Sequence, residues 1–427
     1  MIRIASIQPS HARRTSETTV PFFRPDVSEI EINDVVQTLR SGWLTTGPQV
    51  REFEREFSAA VNAEYAIALN SCTAALHLAV EALGLREKQA VLVPAMTFAA
   101  TAEIVLYKNA IPILVDCDPV TGNMDLADAE YKLNRIKDGT LRIPGLPEIE
   151  VVGVIPVHVG GNMLDIEKIK DFAELHGLWI VEDAAHAFPA AWRSGSNDPW
   201  QFCGENTADV TCYSFYANKT ITTGEGGMAV TNNKELADRI RLMSLHGLSH
   251  DAWGRYSGNG NWDYKIVAPG YKYNLTDIAA AIGRGQLSRA EKMRVQREAV
   301  AEFYLNSFAG TLEFDLPPNP VNRIQSWHLF PIRLDLDSLT IDRDEFLEKL
   351  KRNGVGCSVH WRPLHLHPLY GELGWKESDL PVATRLWRRL ISLPIYSSMT
   401  FEEMLHVVET VKRICADHAS RRMYLVA

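Results

Sequence analysis

The feature that most constrains this chain is an alternation between residues 65 and 231, where short apolar runs are separated by longer amphipathic stretches. The runs are "YAIALN", "AVLVP", "IPILVD", "VVGVIPVH", "LWIVED", "VTCYSF" and "GMAVT". Helical stretches fit between several of them: Ala74 to Leu83 after the first, Ala99 to Lys108 after the second, and Ile166 to His176 before "LWIVED". A strand buried on both faces reads as a near-continuous apolar run, and parallel strands need crossovers long enough to hold a helix. The pattern predicts an α/β domain on a mostly parallel seven-stranded sheet flanked by helices.

A chain of 427 residues exceeds one ordinary core, so a large and a small domain are expected. The reading is a flexible N-terminal arm over 1–20, a large α/β domain over 21–290 and a small C-terminal α+β domain over 291–427. Leu275 to Phe308 reads as a long helix, whole or broken, leaving the large domain. "WHLFPIRLD", "DRDEFLEKLKRNG", "GCSVHW" and a helix from Phe401 to Cys415 would build the small one. With 46% hydrophobic and 23% charged residues, the composition excludes a disordered or fibrous chain. A net charge of −9 and no long Lys/Arg run argue against nucleic acid, yet a small anion can still meet a locally positive pocket. Six cysteines without a C-x-x-C pair disfavour a disulfide framework and a tetrahedral metal site. No metal is expected, and a reducing cytoplasm is the expected location. No run is long enough to span a membrane, so no membrane association is expected.

Open α/β sheets bind ligands outside the carboxyl ends of their strands, and four ends here carry chemistry. Ser71-Cys72-Thr73 follows the first strand and precedes a helix, whose unpaired N–H groups suit a phosphate; a plain Ser/Thr cap is the alternative. Phe98, just past the second strand, can stack on a planar ring or join the core. "LWIVED" delivers Asp183 to a buried strand end, with His186 three residues on. Such a carboxylate needs a cation or several donors: a protonated ring nitrogen would serve, and so would a helix start. Ser214 closes the "VTCYS" run and Lys219 follows in the loop that ends "TTGEGG", whose glycines permit positive φ and close backbone approach. Lys219 is either a solvated loop lysine or an ammonium desolvated between strand ends, in which case its neutral amine becomes available for Schiff-base chemistry. Together these ends describe the needs of pyridoxal 5'-phosphate: a phosphate cup, an aromatic face, a carboxylate for a ring nitrogen and an amine for an aldehyde.

At these residues the sequence resembles the pyridoxal-phosphate-dependent nucleotide-sugar aminotransferases of the DegT/StrS type. The matching stretches are "SGWLTTGP", "EDAAHA", "SFYANKTITTGEGG", "HGLSHDAWGRY", "GYKYNLTDIAAAIG" and "WHLFPIRLD", between about Arg24 and Thr410. "GYKYNLTDI" and "WHLF" are similar to enzymes that aminate C4 of UDP-linked keto-sugars, such as UDP-4-amino-4-deoxy-L-arabinose aminotransferase. The resemblance implies a fold-type-I homodimer with shared active sites. It also implies amino transfer from L-glutamate to C4 of a UDP- or dTDP-4-keto-sugar, with C3 amination as the alternative. By the same resemblance Lys219 binds the cofactor covalently, Asp183 pairs with the pyridinium nitrogen and His186 lies near the ring hydroxyl. Cys72, Thr73 and Ser214 would hold the phosphate, Phe98 would stack on the ring, and Asn274 would reach the neighbouring subunit's cofactor. Relatives often carry Gly or Ala at position 72. Arg255 is a candidate for an anionic substrate group, and Trp43, Thr45, Thr46, His328 and His360 are candidate substrate neighbours. A sugar dehydratase of the same superfamily would lack the lysine or add clustered cysteines. A non-catalytic cofactor-binding regulator would not need Lys219, Asp183 and Ser214 together, and a nicotinamide dehydrogenase would want G-x-G-x-x-G where "SCTAAL" stands.

Overall fold

The computed structural model describes residues 19–141, 149–249 and 265–420. All seven apolar runs form strands of one sheet: β1 Tyr65–Leu69, β2 Gln89–Pro94, β3 Ile111–Val115, β4 Glu150–Val154, β5 Trp179–Asp183, β6 Val210–Ser214 and β7 Gly227–Thr231. Their spatial order is β1-β7-β6-β5-β4-β2-β3. The strands from β6 to β3 run parallel, whereas β7 is antiparallel to both β1 and β6. That reversal matters for the site, because Gly227 pairs with Leu69 on one side and Ser214 on the other. The carboxyl ends of β1 and β6 thus flank the start of β7.

Two helices precede the sheet, α1 Glu29–Ser41 and α2 Pro48–Ala60. Ser28 and Glu31 form a reciprocal capping box at the start of α1, and Gly42 ends it in the left-handed conformation with φ 76°. Helices α3 Cys72–Ala82, α4 Ala100–Leu106, α5 Leu126–Lys137, α6 Ile166–His176 and α7 Lys234–Ser244 belong to the same unit. The expected long helix is broken into α8 Asp277–Ser288 and α9 Ala290–Ser307. The break falls at Arg289, whose guanidinium is tied to Asp26 and Glu31. Helix α9 crosses from one core to the other: Ala290 and Met293 pack under the large sheet, and Val300, Ala301 and Tyr304 in the C-terminal core.

That second core is built on an antiparallel sheet of β8 Phe314–Asp315, β9 Phe330–Leu334 and β10 Leu390–Leu393, with α10 Arg343–Arg352 and α11 Phe401–His418. "GCSVHW" makes only isolated bridges, Ser358 with Ser392 beside it and Val355 just before it with Val20. Val20, the last residue of the expected arm, is fully buried in this core, and its N–H and C=O are bonded to Gly354 and Gly356. Among the described residues no helix is long and apolar enough to cross a membrane.

Candidate active site

The ends of β1, β5 and β6 open onto a cleft of roughly 580 Å³, lined by Cys72, Thr73, Phe98, Asp183, His186, Ser214, Lys219, His328 and His360 among others. Ser71 Oγ accepts the Ala74 N–H at 3.1 Å, so the expected cap is real. It leaves the anion reading intact, since the first N–H groups of a helix have no intrahelical acceptor and those of Cys72 and Thr73 begin α3. Beneath this helix start the chain passes very close. A Cβ on Gly227 would lie 2.4 Å from the Ser71 carbonyl carbon and 2.5 Å from Cys72 N, so only glycine fits there.

The Lys219 loop is fixed by its own backbone: Lys219 N donates to Tyr216 O at 2.9 Å, Thr223 N to Phe215 O at 3.0 Å and Phe215 N to Gly226 O at 2.9 Å. Lys219 is half-buried and lines the cleft, so it is not a solvated loop lysine. Burial lowers its pKa to about 8, against smaller opposing effects from Cys72 and Asp183. Asp183 is buried. Its Oδ2 accepts from Thr101 Oγ1 at 2.7 Å and its Oδ1 from Ala185 N at 3.1 Å. Burial outweighs these two bonds and the Lys219 charge, and raises the Asp183 pKa. Phe98 is 64% exposed beside the cleft, so it is not a core residue.

Three histidines gather around Lys219. His186 Nδ1 accepts the Gly160 N–H at 3.3 Å, which assigns the proton of the neutral ring to Nε2. Its ring lies 4.0 Å from that of His328 and stacks on Trp361 at 5.1 Å. His328 is buried with neither ring nitrogen bonded among the described residues, and His360 Nδ1 is 2.9 Å from Ser392 Oγ. Burial holds His186 and His328 well below the usual imidazole range and takes His360 to about 4. At neutral pH they are uncharged hydrogen-bonding groups.

On the other face of β5, Glu182 Oε2 accepts from Thr207 at 2.5 Å and Thr211 at 2.8 Å, and His158 Nε2 is 3.3 Å from Oε1. Together with Cys203 these side chains come close enough for a metal ion. The donor set argues otherwise. Leu164 N–H donates to His158 Nδ1 at 3.2 Å, so the Nε2 that faces Glu182 carries the ring proton and cannot ligate.

Thr46 and Asn274 are not in the Lys219 cleft of the same chain; they line a second cavity beside Leu245 and Ser249. Asn274 Nδ2 donates to Thr46 Oγ1 at 2.7 Å, and Thr46 Oγ1 to Leu275 O at 2.5 Å. Trp43 Nε1 donates to Thr46 O at 3.1 Å and Asp277 N to Thr45 O at 3.2 Å, which places both in the same loop. Arg255 lies outside the described residues. Sequence reasoning missed Thr101, Trp361, Tyr216, Asn218 and Glu225. Thr101 left a signal, a second threonine four residues after Thr97 just past a strand end, and Tyr216, Asn218 and Glu225 lie within the quoted stretch "SFYANKTITTGEGG".

A model of the DegT/DnrJ/EryC1/StrS aminotransferase family matches residues 25–412. The chain belongs to that family. It is 42% identical over 404 residues to the uncharacterized protein MJ1066 of Methanocaldococcus jannaschii, covering 94% of this chain and 99% of that protein. The spore coat polysaccharide biosynthesis protein SpsC of Bacillus subtilis is 39% identical over 397 residues, covering 92% of this chain and 97% of SpsC. Among solved structures, Spr1654 of Streptococcus pneumoniae, assigned as a sugar aminotransferase, matches in its PLP form with a TM-score of 0.81 and 31% identity, over 94% of this chain and 99% of that one. It has also been solved in a PMP form. The cleft of this family member fits pyridoxal phosphate: a helix start that only a glycine can approach, an amine brought down to about 8, and a buried carboxylate whose charge is not compensated by its two hydrogen bonds.

Proposed function

We propose that the protein is a pyridoxal-phosphate-dependent aminotransferase that moves an amino group from L-glutamate to a nucleotide-linked keto-sugar, at C4 of a UDP- or dTDP-sugar. The observation that carries this reading is the half-buried Lys219, with its pKa brought to about 8, in the same cleft as Asp183 and the α3 N-terminus. When bound, pyridoxal phosphate supplies an electron sink and a carrier for the amino group. The N–H groups of Cys72 and Thr73 and the Ser214 hydroxyl bind phosphate, and Phe98 covers one face of the ring. Asp183 holds a proton on the ring nitrogen, an arrangement that also relieves its own burial. His186 donates from Nε2 toward the ring hydroxyl.

Lys219 Nζ anchors the cofactor and, when free, moves the proton of the donor Cα. Its lowered pKa suits this work, because a base near the working pH is present in its neutral form. Exchange of an amino group for a carbonyl oxygen needs no external oxidant, so one site serves two substrates in turn. His328 and His360, neutral and beside the cleft, are placed to meet the sugar. We place Asn274, Thr46 and Trp43 toward the cleft of a second copy in a homodimer; their separation from Lys219 within one chain supports this. Arg255 is retained as an anion-binding candidate, and the cytoplasm as the location.

The test is a panel of 4-keto and 3-keto sugar nucleotides incubated with the holoenzyme and L-glutamate, scored by mass spectrometry. Amination of a 4-keto UDP- or dTDP-sugar is expected; amination of 3-keto sugars alone would overturn the C4 assignment, and no product with any would overturn the substrate class. Mixing Lys219→Ala and Asn274→Ala subunits should restore part of the activity that each lacks; no restoration would sink the shared site.

A further inference from the structure

Asp183 sits in an unusual position for a group that must stay charged: it is 5% exposed, and burial dominates its environment. What the protein offers it is a chain of two hydroxyls. Thr101 Oγ1 donates to Asp183 Oδ2 at 2.7 Å, and Thr97 Oγ1 is 2.7 Å from Thr101 Oγ1, all three side chains being buried. We propose that Thr101 and Thr97 are positioning residues that keep Asp183 ionised and aimed at the cofactor ring, an inference that rests on the placement of Asp183 opposite the ring nitrogen.

The direction of the chain follows from proton counting. A hydroxyl has one proton, so if Thr101 gives its own to the carboxylate it must accept the proton of Thr97. Run in reverse, a protonated Asp183 would donate to Thr101 and Thr101 to Thr97. The Thr97 proton would then have no protein acceptor among the described residues. The protein therefore favours the ionised end of the relay. Neither hydroxyl serves the local helix: α4 starts at Ala100 after Ala99, with no side-chain cap bond. Thr101 N also donates to Phe98 O at 3.3 Å, so one turn of chain sets both the exposed aromatic ring and the carboxylate. The titratable groups whose charge acts on Asp183, or is acted on by it, are Lys219, His158, Cys72 and Cys212. None of them makes a hydrogen bond to its carboxylate; Thr101 and Ala185 do.

The test is made on holoenzyme loaded with pyridoxal phosphate labelled with 15N in the ring, following the ring-nitrogen chemical shift against pH. In Thr101→Val the ring nitrogen should lose its proton about one pH unit lower than in the wild type, as expected for losing a hydrogen bond to a charged group. Thr101→Ser should return the midpoint to within a few tenths of a unit, and Thr97→Val should shift it in the same sense by less. In steady state, Thr101→Val should lower kcat about tenfold and leave KM for both substrates within about twofold. An unshifted titration in Thr101→Val, or a serine variant as shifted as the valine one, overturns the inference. If the valine variant does not fold, an unshifted Thr97→Val does the same. Asp183→Asn separates this from the parent reading. A shift in Asp183→Asn with none in Thr101→Val removes the relay alone, whereas no shift in either removes the Asp183 assignment with it.

Discussion

Glu182 and Asp183 are neighbours on one strand, both buried, and their surroundings are opposite. Glu182 points to the closed side of the sheet, where two threonine hydroxyls and His158 outweigh burial and lower its pKa. Asp183 points to the cleft, where two donors fall short of what burial costs and its pKa is raised. A carboxylate that the fold satisfies belongs to stability. One that the fold leaves wanting a cation belongs to a ligand that brings one.

The contrast can be broken most decisively from the cleft side. Lys219→Ala should abolish turnover, a loss beyond about 10⁴-fold, and also covalent capture of pyridoxal phosphate by borohydride, while the apo protein melts no lower than wild type. Residual covalent capture would point to another amine. Asp183→Asn comes next: kcat should fall about 10³-fold, yet apoenzyme stability in urea should hold or rise, because a buried charge has been removed. A destabilised apo variant would mean that the two carboxylates are alike after all.

Glu182→Gln is the mirror experiment. It should cost about 2 kcal/mol of stability by denaturant midpoint and leave the cofactor's ring-nitrogen titration unmoved. The smallest effect is in the pH dependence of apo stability. A raised native pKa means that folded Asp183 holds its proton more tightly than the unfolded chain does, so its contribution turns unfavourable as pH rises from the unfolded value toward the native one. Glu182 has the reverse sign: its contribution is present above the unfolded pKa and is lost as pH falls through the lowered native value. The stability gap between Asp183→Asn and wild type should therefore widen in favour of the variant above about pH 4, as read from urea titrations at several pH values. A gap that stays constant would show that Asp183 does not titrate differently in the two states.

The seven strands were legible because each is buried on both faces and so reads as an apolar run, and strand ends then pointed to Lys219, Asp183 and Ser214. Helices α1 and α2 were not read, although Ser28 and Glu31 carry a capping box; α1 buries Glu31 and Thr38 and exposes Ile30, Ile32 and Leu39, so its apolar positions do not mark its packed face. The break at Arg289 depends on ion pairs with Asp26 and Glu31, some 260 residues away, and no local pattern records that. Thr101 meeting Asp183 and His328 meeting His186 are likewise products of the fold, 82 residues apart in the first case. Trp43, Thr45, Thr46 and Asn274 were placed beside the substrate or a cofactor by resemblance alone, and within one chain Thr46 and Asn274 line a separate cavity, with Trp43 bonded to the Thr46 carbonyl beside it.

The bridge between Val20 and Val355 has a consequence for how the molecule is made. Val20 is synthesised some 330 residues before the groups it bonds, at Gly354 and Gly356. Arg24 waits similarly for Glu403, and Phe22 for the His360 ring on which it stacks at 5.3 Å. The growing polypeptide must keep this strap idle while the large sheet assembles, and His360 of the cleft gains its aromatic backing only when the C-terminal core folds back onto Phe22.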